Sequence, residues 1–169
     1  MKILFLGAPG SGKSTQGQIL AEEKGWKWVS PGQMFRESED PKIKEIISTS
    51  QLVPDEITIE MIVNTIKDLD SFILDGYPRN LRQCESLGEN QIDIDIMVEI
   101  VVPEEELVAR SLARGRAQDT AEIIRERIGM YQDTRDMIVE FFENKNVKLL
   151  QIDGVGEIEE ITKRVKEVF

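Results

Sequence analysis

The chain has 169 residues, 40% hydrophobic and 31% charged, which is the composition of a single globular domain. Its net charge of −11 argues against nucleic acid or an anionic membrane surface as a partner. One cysteine and no histidine exclude an intramolecular disulfide, a cysteine or histidine metal cluster and histidine-based catalysis. The chain start has no signal pattern and no apolar run is long enough to span a membrane, so a cytoplasmic location is expected.

A glycine-rich stretch near the start has the sequence of a phosphate-binding loop. Residues 7–15 read Gly-Ala-Pro-Gly-Ser-Gly-Lys-Ser-Thr, between an apolar run and a helical pattern over 16–24. Glycines let backbone N–H groups approach a phosphate, and the helix N-terminus adds partial positive charge. The loop predicts a nucleoside triphosphate site formed by Gly10, Ser11, Gly12, Lys13, Ser14 and Thr15. Lys13 would contact the outer phosphates, and Ser14 or Thr15 would face Mg²⁺.

Short apolar runs alternate with helical patterns along the chain. The runs cover residues 3–6, 28–30, 71–74, 94–102 and 147–152. Most are apolar on both faces or nearly so, as buried parallel strands are. The alternation predicts a three-layer α/β/α P-loop NTPase fold with a five-stranded parallel sheet, in one domain covering residues 1–169. Residues 30–68 are predicted to form a small helical insertion.

An acidic residue ends the run before a tight turn. Asp75 follows three apolar residues, which beside a P-loop is the Walker B pattern for a carboxylate that holds Mg²⁺ or its water ligands. Without the P-loop, a turn residue or a helix cap would be the better interpretation. Gly76 and Pro78 then make a fixed turn, which would aim Arg79 from the strand end toward the phosphates.

Arginines cluster after the run at 94–102. Arg110 and Arg114 lie one helical turn apart on one face, Gly115 ends that helix, and Arg116 follows at once. Each one alone would be an ordinary cation at an exposed helix end. Beside a P-loop, the group together with Arg127 predicts a phosphate clamp.

Arg127 lies on the apolar stripe of the next helix. A solvated arginine has no reason to lie there, so an anionic partner is expected for its guanidinium. At the start of the same helix, Asp119 and Glu122 are predicted to form a capping pair.

With these motifs the chain resembles the adenylate kinase family of nucleoside monophosphate kinases, over essentially its whole length. The P-loop has the family's Gly-Ala-Pro-Gly form, and residues 52–55, Leu-Val-Pro-Asp, are similar to the family's turn over the acceptor nucleotide. Residues 75–79, Asp-Gly-Tyr-Pro-Arg, resemble the family's Asp-Gly-Phe-Pro-Arg signature, and the four downstream arginines have the family's spacing. Residues 153–156 look like the late loop that contacts the donor base.

The resemblance implies a phosphotransferase and a role for each matching residue. On the donor side, Arg110 would cover the adenine of ATP and Gly156 would lie in the late loop. On the acceptor side, Arg36 and Arg79 would hold the α-phosphate of AMP and Gln83 would read its adenine. Further acceptor positions would be Pro31, Val53 and Gly76. The implied catalytic residues are Lys13, Arg79, Arg114, Arg116 and Arg127. Mg²⁺ would be the cofactor, held partly through water by Ser14, Thr15 and Asp75.

The chain also departs from the family. Pro31 stands where members that use AMP have Thr, and Gln33 replaces an Asp that organises the water ligands of Mg²⁺. Gln118 replaces the first of two consecutive acids. Residues 114–119 form a vestigial lid loop, since only Gly115 separates two of the arginines.

The implied activity is that of adenylate kinase, in which ATP and AMP give two ADP. Asn80 is common in members that favour UMP and CMP, so a UMP/CMP kinase or a kinase of broad acceptor range stays open. A P-loop ATPase that switches a partner, or a non-catalytic nucleotide-binding relative, stays open as well. A monomer is favoured, with an oligomer as the alternative because a neighbouring subunit could cover so short a lid.

The short lid predicts that water reaches the transferring phosphoryl group. Because lid closure normally excludes water, the purified protein should hydrolyse ATP measurably when no acceptor is present. Phosphate release measures this, with Lys13→Ala as the background. Undetectable hydrolysis in a preparation with full kinase activity would contradict the prediction and mean that something else closes the site.

Overall fold

Strands and helices alternate along the residues that the structure, a computed structural model, describes: 1–48, 53–115 and 119–169. The strands are β1 (Lys2–Leu6), β2 (Lys27–Val29), β3 (Phe72–Asp75), β4 (Ile96–Val101) and β5 (Lys148–Asp153). The helices are α1 (Lys13–Lys24), α2 (Pro31–Glu37), α3 (Pro41–Ser48), α4 (Asp55–Ile66), α5 (Leu81–Glu89), α6 (Glu104–Ala113), α7 (Ala121–Glu143) and α8 (Ile158–Lys166).

The strands form one sheet in the order β2-β3-β1-β4-β5, and all of its neighbours pair in parallel. Helices cover both faces, which confirms the predicted three-layer α/β/α P-loop NTPase fold. The predicted strand ends differ from the structure by one or two residues. The predicted helix at 16–24 begins earlier, at Lys13, directly after the left-handed Gly12.

Two apolar cores lie on the two faces of the sheet, because alternate residues of each strand point to opposite sides. Leu4 and Leu74 pack with α4, α5 and the C-terminal half of α7. Phe5 and Val98 pack with α1, α6, α8 and the N-terminal half of α7. In the described parts of the chain, every helix is too short or too polar to span a membrane.

The range 30–68 contains α2, α3 and α4. Residues 49–52 of this range lie outside the described residues. The boundaries of the helical insertion stay a prediction, and so does the division of the chain into one domain with a lid loop.

β4 carries a buried acid that its apolar pattern does not predict. Glu99 is only 5% exposed, and its carboxylate accepts hydrogen bonds from Tyr131, Arg135 and Gln151. Arg135 donates with Nε at 2.8 Å and Nη2 at 2.5 Å to the two different oxygens, so this pair is bidentate. Burial alone would raise the pKa of Glu99, but these donors outweigh it and lower the pKa to about 2. The carboxylate ties α7 to β4 and β5.

Replacing Glu99 with Gln should cost about 3 kcal/mol of stability at pH 7, because Arg135 loses its buried charged partner and keeps only the exposed Asp136. The folded pKa of about 2 lies below the unfolded value. The contribution is therefore complete above an unfolded pKa of about 4.3 and should fall to roughly half at pH 3. Denaturant unfolding at both pH values measures it.

Glu140→Gln is the control for this prediction, because Glu140 is an exposed acid on α7, the helix that carries Arg135. Its effect on the free energy of unfolding should be small at both pH values. A difference between wild type and Glu99→Gln that is as large at pH 3 as at pH 7 would count against the ionised network.

Candidate functional site

The P-loop lies between β1 and α1 at the carboxyl edge of the sheet. Gly10 has φ 90°, and a β-carbon there would come within 2.6 Å of the Leu107 carbonyl oxygen and of Ser111 Oγ. Only glycine meets both conditions, so the loop backbone is held against α6. α1 begins at Lys13, and its first turn directs N–H groups out of the helix end into the loop. Loop and helix end together make an anion-binding concavity.

Asp75 lies beside this loop. It is the last residue of β3 and pairs in register with Phe5, two residues before the loop begins. Its side chain is buried, with the residue 2% exposed, and neither carboxylate oxygen accepts a hydrogen bond from the described residues. Because a buried carboxylate that accepts no hydrogen bond is costly, Asp75 suits a cation or the water ligands of one. Ser14 and Thr15, in the first turn of α1, are both exposed.

The turn after β3 brings two of the predicted cations together. A β-carbon at Gly76 would lie 3.5 Å from Nη2 of Arg79 and 3.8 Å from Cε of Lys13. Arg79 Nε also donates to the Gly76 carbonyl oxygen at 2.8 Å, which holds the guanidinium over the turn. Desolvation lowers the pKa of Arg79, and the Asp75 charge opposes that shift. Lys13, Asp75 and Arg79 therefore surround one short turn.

Asp119 holds two other predicted catalytic residues. One of its carboxylate oxygens accepts from Arg114 Nη2 at 3.0 Å and the other from Arg127 Nη1 at 2.8 Å. The Asp119 side chain is 1% exposed, whereas those of Arg114 and Arg127 are 38% and 40% exposed. Burial alone would raise the pKa of Asp119, but the two arginines outweigh it and hold the pKa below its usual range. Each guanidinium is thus partly exposed to solvent while the buried Asp119 carboxylate holds it.

The predicted capping pair of Asp119 and Glu122 is wrong. The N-cap of α7 is Thr120, whose hydroxyl accepts from the Ile123 N–H at 3.2 Å. Asp119 lies one residue too early to cap the helix, and it provides the anionic partner expected for Arg127. Residues 116–118, which include the predicted catalytic Arg116, lie outside the described residues.

The residues predicted at the donor base lie on α6 and after β5. Arg110 pairs with Glu106, one turn earlier on α6. Gly156 has φ 117° in the loop between β5 and α8. Arg164 Nη1 holds that loop by donating to the carbonyl oxygens of Asp153 at 2.9 Å and Val155 at 2.5 Å.

Gln16 joins this loop region to the P-loop helix. Its Nε2 donates to the Ile158 carbonyl oxygen at 3.1 Å, and its Oε1 accepts from Thr162 Oγ1 at 2.9 Å. Gln16 is not among the predicted site residues, although an amide directly after the P-loop hydroxyls is a usable sequence signal. Its partners come from the last helix and cannot be found from local sequence.

Predicted acceptor residues lie on α2 and before α4. Pro31 is buried at the start of α2. Arg36, in the last turn, folds back along the helix, with Nη1 3.4 Å from where a β-carbon at Gly32 would lie. Val53 is half-buried just before α4. That these residues share one acceptor site with Arg79 stays a prediction.

Two hydrogen bonds join the turn after Arg79 to α4, and two more hold the turn itself. Asn80 is the N-cap of α5: its Oδ1 accepts from the Gln83 N–H at 2.9 Å, and its Nδ2 donates to Asp55 Oδ2 at 2.9 Å. The Gln83 side chain donates from Nε2 to Asp55 Oδ1 at 2.6 Å and accepts at Oε1 from the Arg79 N–H at 2.8 Å. A structural role thus accounts for Asn80 without a pyrimidine acceptor.

Comparison with known proteins gives consistent matches. A family model described as "Adenylate kinase" matches residues 5–147. A protein named "Adenylate kinase" from Mycobacteroides abscessus is 37% identical over 182 aligned residues, covering 100% of this chain and 99% of the relative. Proteins of the same name from Thermobifida fusca and Prochlorococcus marinus are 38% and 36% identical, over 97% and 98% of this chain and 95% and 96% of theirs.

Proposed function

The chain belongs to the adenylate kinase family, and we propose that it transfers the terminal phosphoryl group of ATP to AMP, giving two ADP. This family membership confirms the resemblance predicted from the motifs. The observation that carries the proposal is the Gly76 turn, which places Lys13 of the donor loop beside Arg79 of the acceptor signature. A site for a nucleoside triphosphate alone would not need Arg79 at the end of β3.

The donor phosphates would bind at the P-loop. Backbone N–H groups of the loop and of the first turn of α1 would donate to them, and Lys13 would neutralise the outer phosphates. Because Gly10 fixes the loop against α6, the same helix would carry Arg114 to the transferring group. Arg110 and Gly156 would contact the donor base side.

We propose Mg²⁺ as the cofactor. The buried Asp75 carboxylate, which accepts no hydrogen bond from the described residues, fits the water ligands of such an ion, and Ser14 and Thr15 supply exposed hydroxyls. When bound, Mg²⁺ neutralises charge on the donor phosphates. No group of three or more acidic or cysteine side chains among the described residues could hold a metal by itself, so substrate oxygens would complete the ligand set.

The chain's own cations would stabilise the transferring group. The phosphate of AMP is already an anionic nucleophile, so no general base is required. The lack of histidine is therefore compatible with the proposed reaction. Arg79, Arg114 and Arg127 would neutralise charge that spreads over the transferring oxygens. Asp119 holds Arg114 and Arg127 before substrate arrives. These two side chains therefore need less rearrangement during the reaction. Arg116 stays a predicted further member of this set.

AMP is the acceptor that the site supports best. Gln83 offers an amide that can donate to and accept from the edge of adenine. Arg36, with Arg79, would hold the α-phosphate of AMP, and Pro31, Val53 and Gly76 would line the site. The cytoplasmic location, the monomeric state and the absence of nucleic-acid and membrane partners stay predictions from the sequence.

A purified-protein assay tests the proposed function. The protein is incubated with ATP, Mg²⁺ and one of AMP, CMP, UMP or GMP, and the nucleotides are separated by chromatography. AMP should give ADP at the highest rate, and Lys13→Ala should lose roughly a hundredfold or more because a preorganised phosphate contact is gone. If no acceptor gives a diphosphate above that variant, the chain is not a kinase. If UMP or CMP is used faster than AMP, the acceptor is wrong.

A further inference from the structure

We propose that Asp55 is a specificity-determining residue of the acceptor site. With the backbone N–H of Arg79, it fixes which way the Gln83 side-chain amide faces, so that the site takes a 6-aminopurine monophosphate and rejects a 6-oxopurine. The inference rests on the proposed function, in which Gln83 reads the acceptor base.

Opposite constraints act on the two ends of the Gln83 amide. Oε1 accepts from the Arg79 N–H at 2.8 Å, and Nε2 donates to Asp55 Oδ1 at 2.6 Å. A backbone N–H can only donate and a carboxylate can only accept. A half-turn of the amide would therefore oppose N–H to N–H at one end and oxygen to carboxylate at the other. Gln83 is 4% exposed, so water cannot relieve these contacts.

The Asp55 carboxylate is itself held in place. Its second oxygen accepts from Asn80 Nδ2 at 2.9 Å, and Asn80 Oδ1 accepts from the Gln83 N–H at 2.9 Å. Asp55 is the first residue of α4, whereas Asn80 caps α5. The hydrogen bonds form a closed ring between two helices, and none of its members can turn without breaking another bond.

Each end of the Gln83 amide keeps one bonding position for a ligand. Nε2 has a second proton, and Oε1 has a second lone pair. Adenine offers the matching edge, with an acceptor at N1 and a donor at the 6-amino group. Hypoxanthine and guanine offer the reverse, with a donor at N1 and an acceptor at O6. A site built for one pattern rejects the other strongly, because its buried polar groups would be left opposed.

The experiment compares kcat/KM for AMP and for inosine 5′-monophosphate (IMP) in the wild type, Asp55→Asn and Glu56→Gln. An asparagine can present its nitrogen to a reversed Gln83 amide, which removes one of the two constraints. The preference for AMP over IMP should fall by about tenfold in Asp55→Asn. Glu56→Gln removes an exposed acid from the same helical turn and should leave the preference within about twofold of wild type.

A second measurement needs no variant. Purine riboside 5′-monophosphate keeps the N1 acceptor of adenine but has only hydrogen at position 6. The wild type should use the acceptors in the order AMP, purine riboside 5′-monophosphate, IMP, because only IMP opposes like groups at both ends of the amide.

The outcomes separate this inference from the proposed function. If the wild type makes no ADP from AMP, the proposed function and this inference are both overturned. A wild type that phosphorylates AMP, with a preference over IMP that Asp55→Asn leaves unchanged, would overturn the inference alone. Use of IMP as readily as purine riboside 5′-monophosphate would overturn it too.

Discussion

Two arginines of the proposed site must be held close together, and one buried carboxylate holds them. Asp119 bonds Arg114 and Arg127 at once while its own side chain is almost fully covered. Two guanidiniums close enough to share one carboxylate would repel each other without it. The pair therefore exists before a phosphate arrives, and the protein need not gather its cations during the reaction.

Buried carboxylates also lie at two other points around the site. Glu99 ties Tyr131 and Arg135 of α7 to the sheet, one and two helical turns beyond Arg127. Asp75 lies beside Arg79 at the end of β3. In a chain of net charge −11, the local placement of a few carboxylates decides where positive charge can be presented to an anionic substrate.

The fold and the identities of most of the proposed site residues could be predicted from the sequence, because they depend on local order. The P-loop is one continuous stretch with its strand and helix attached, and the apolar runs set the parallel sheet. The partners could not be predicted. Asp119 looked like a helix cap from its spacing, and Glu99 was hidden in an apolar run. Their bonds join residues from different elements, which only the packed structure brings together.

The proposed acceptor site shows even more clearly that long-range partners cannot be predicted from the sequence. Gln83 could be named from the family resemblance, by its place four residues after Arg79, but Asp55, which bonds its amide, is 28 residues away. Asn80 kept a pyrimidine acceptor open beside the AMP that Gln83 favoured. Once its side chain is placed at the N-cap of α5, the residue has a structural explanation. The residue type was enough to predict which hydrogen bonds and charges a side chain can offer. Its role in the site depended on neighbours that are distant in the sequence.

The most direct test of this account is steady-state kinetics of Asp119→Asn, with Glu122→Gln, an exposed acid in the first turn of α7, as the control. Loss of the carboxylate should lower kcat by roughly a hundredfold, while KM for ATP and AMP changes by less than about threefold, because the arginines act on the transferring group. Glu122→Gln should leave both constants near wild type. An unchanged kcat in a folded Asp119→Asn protein would contradict the account.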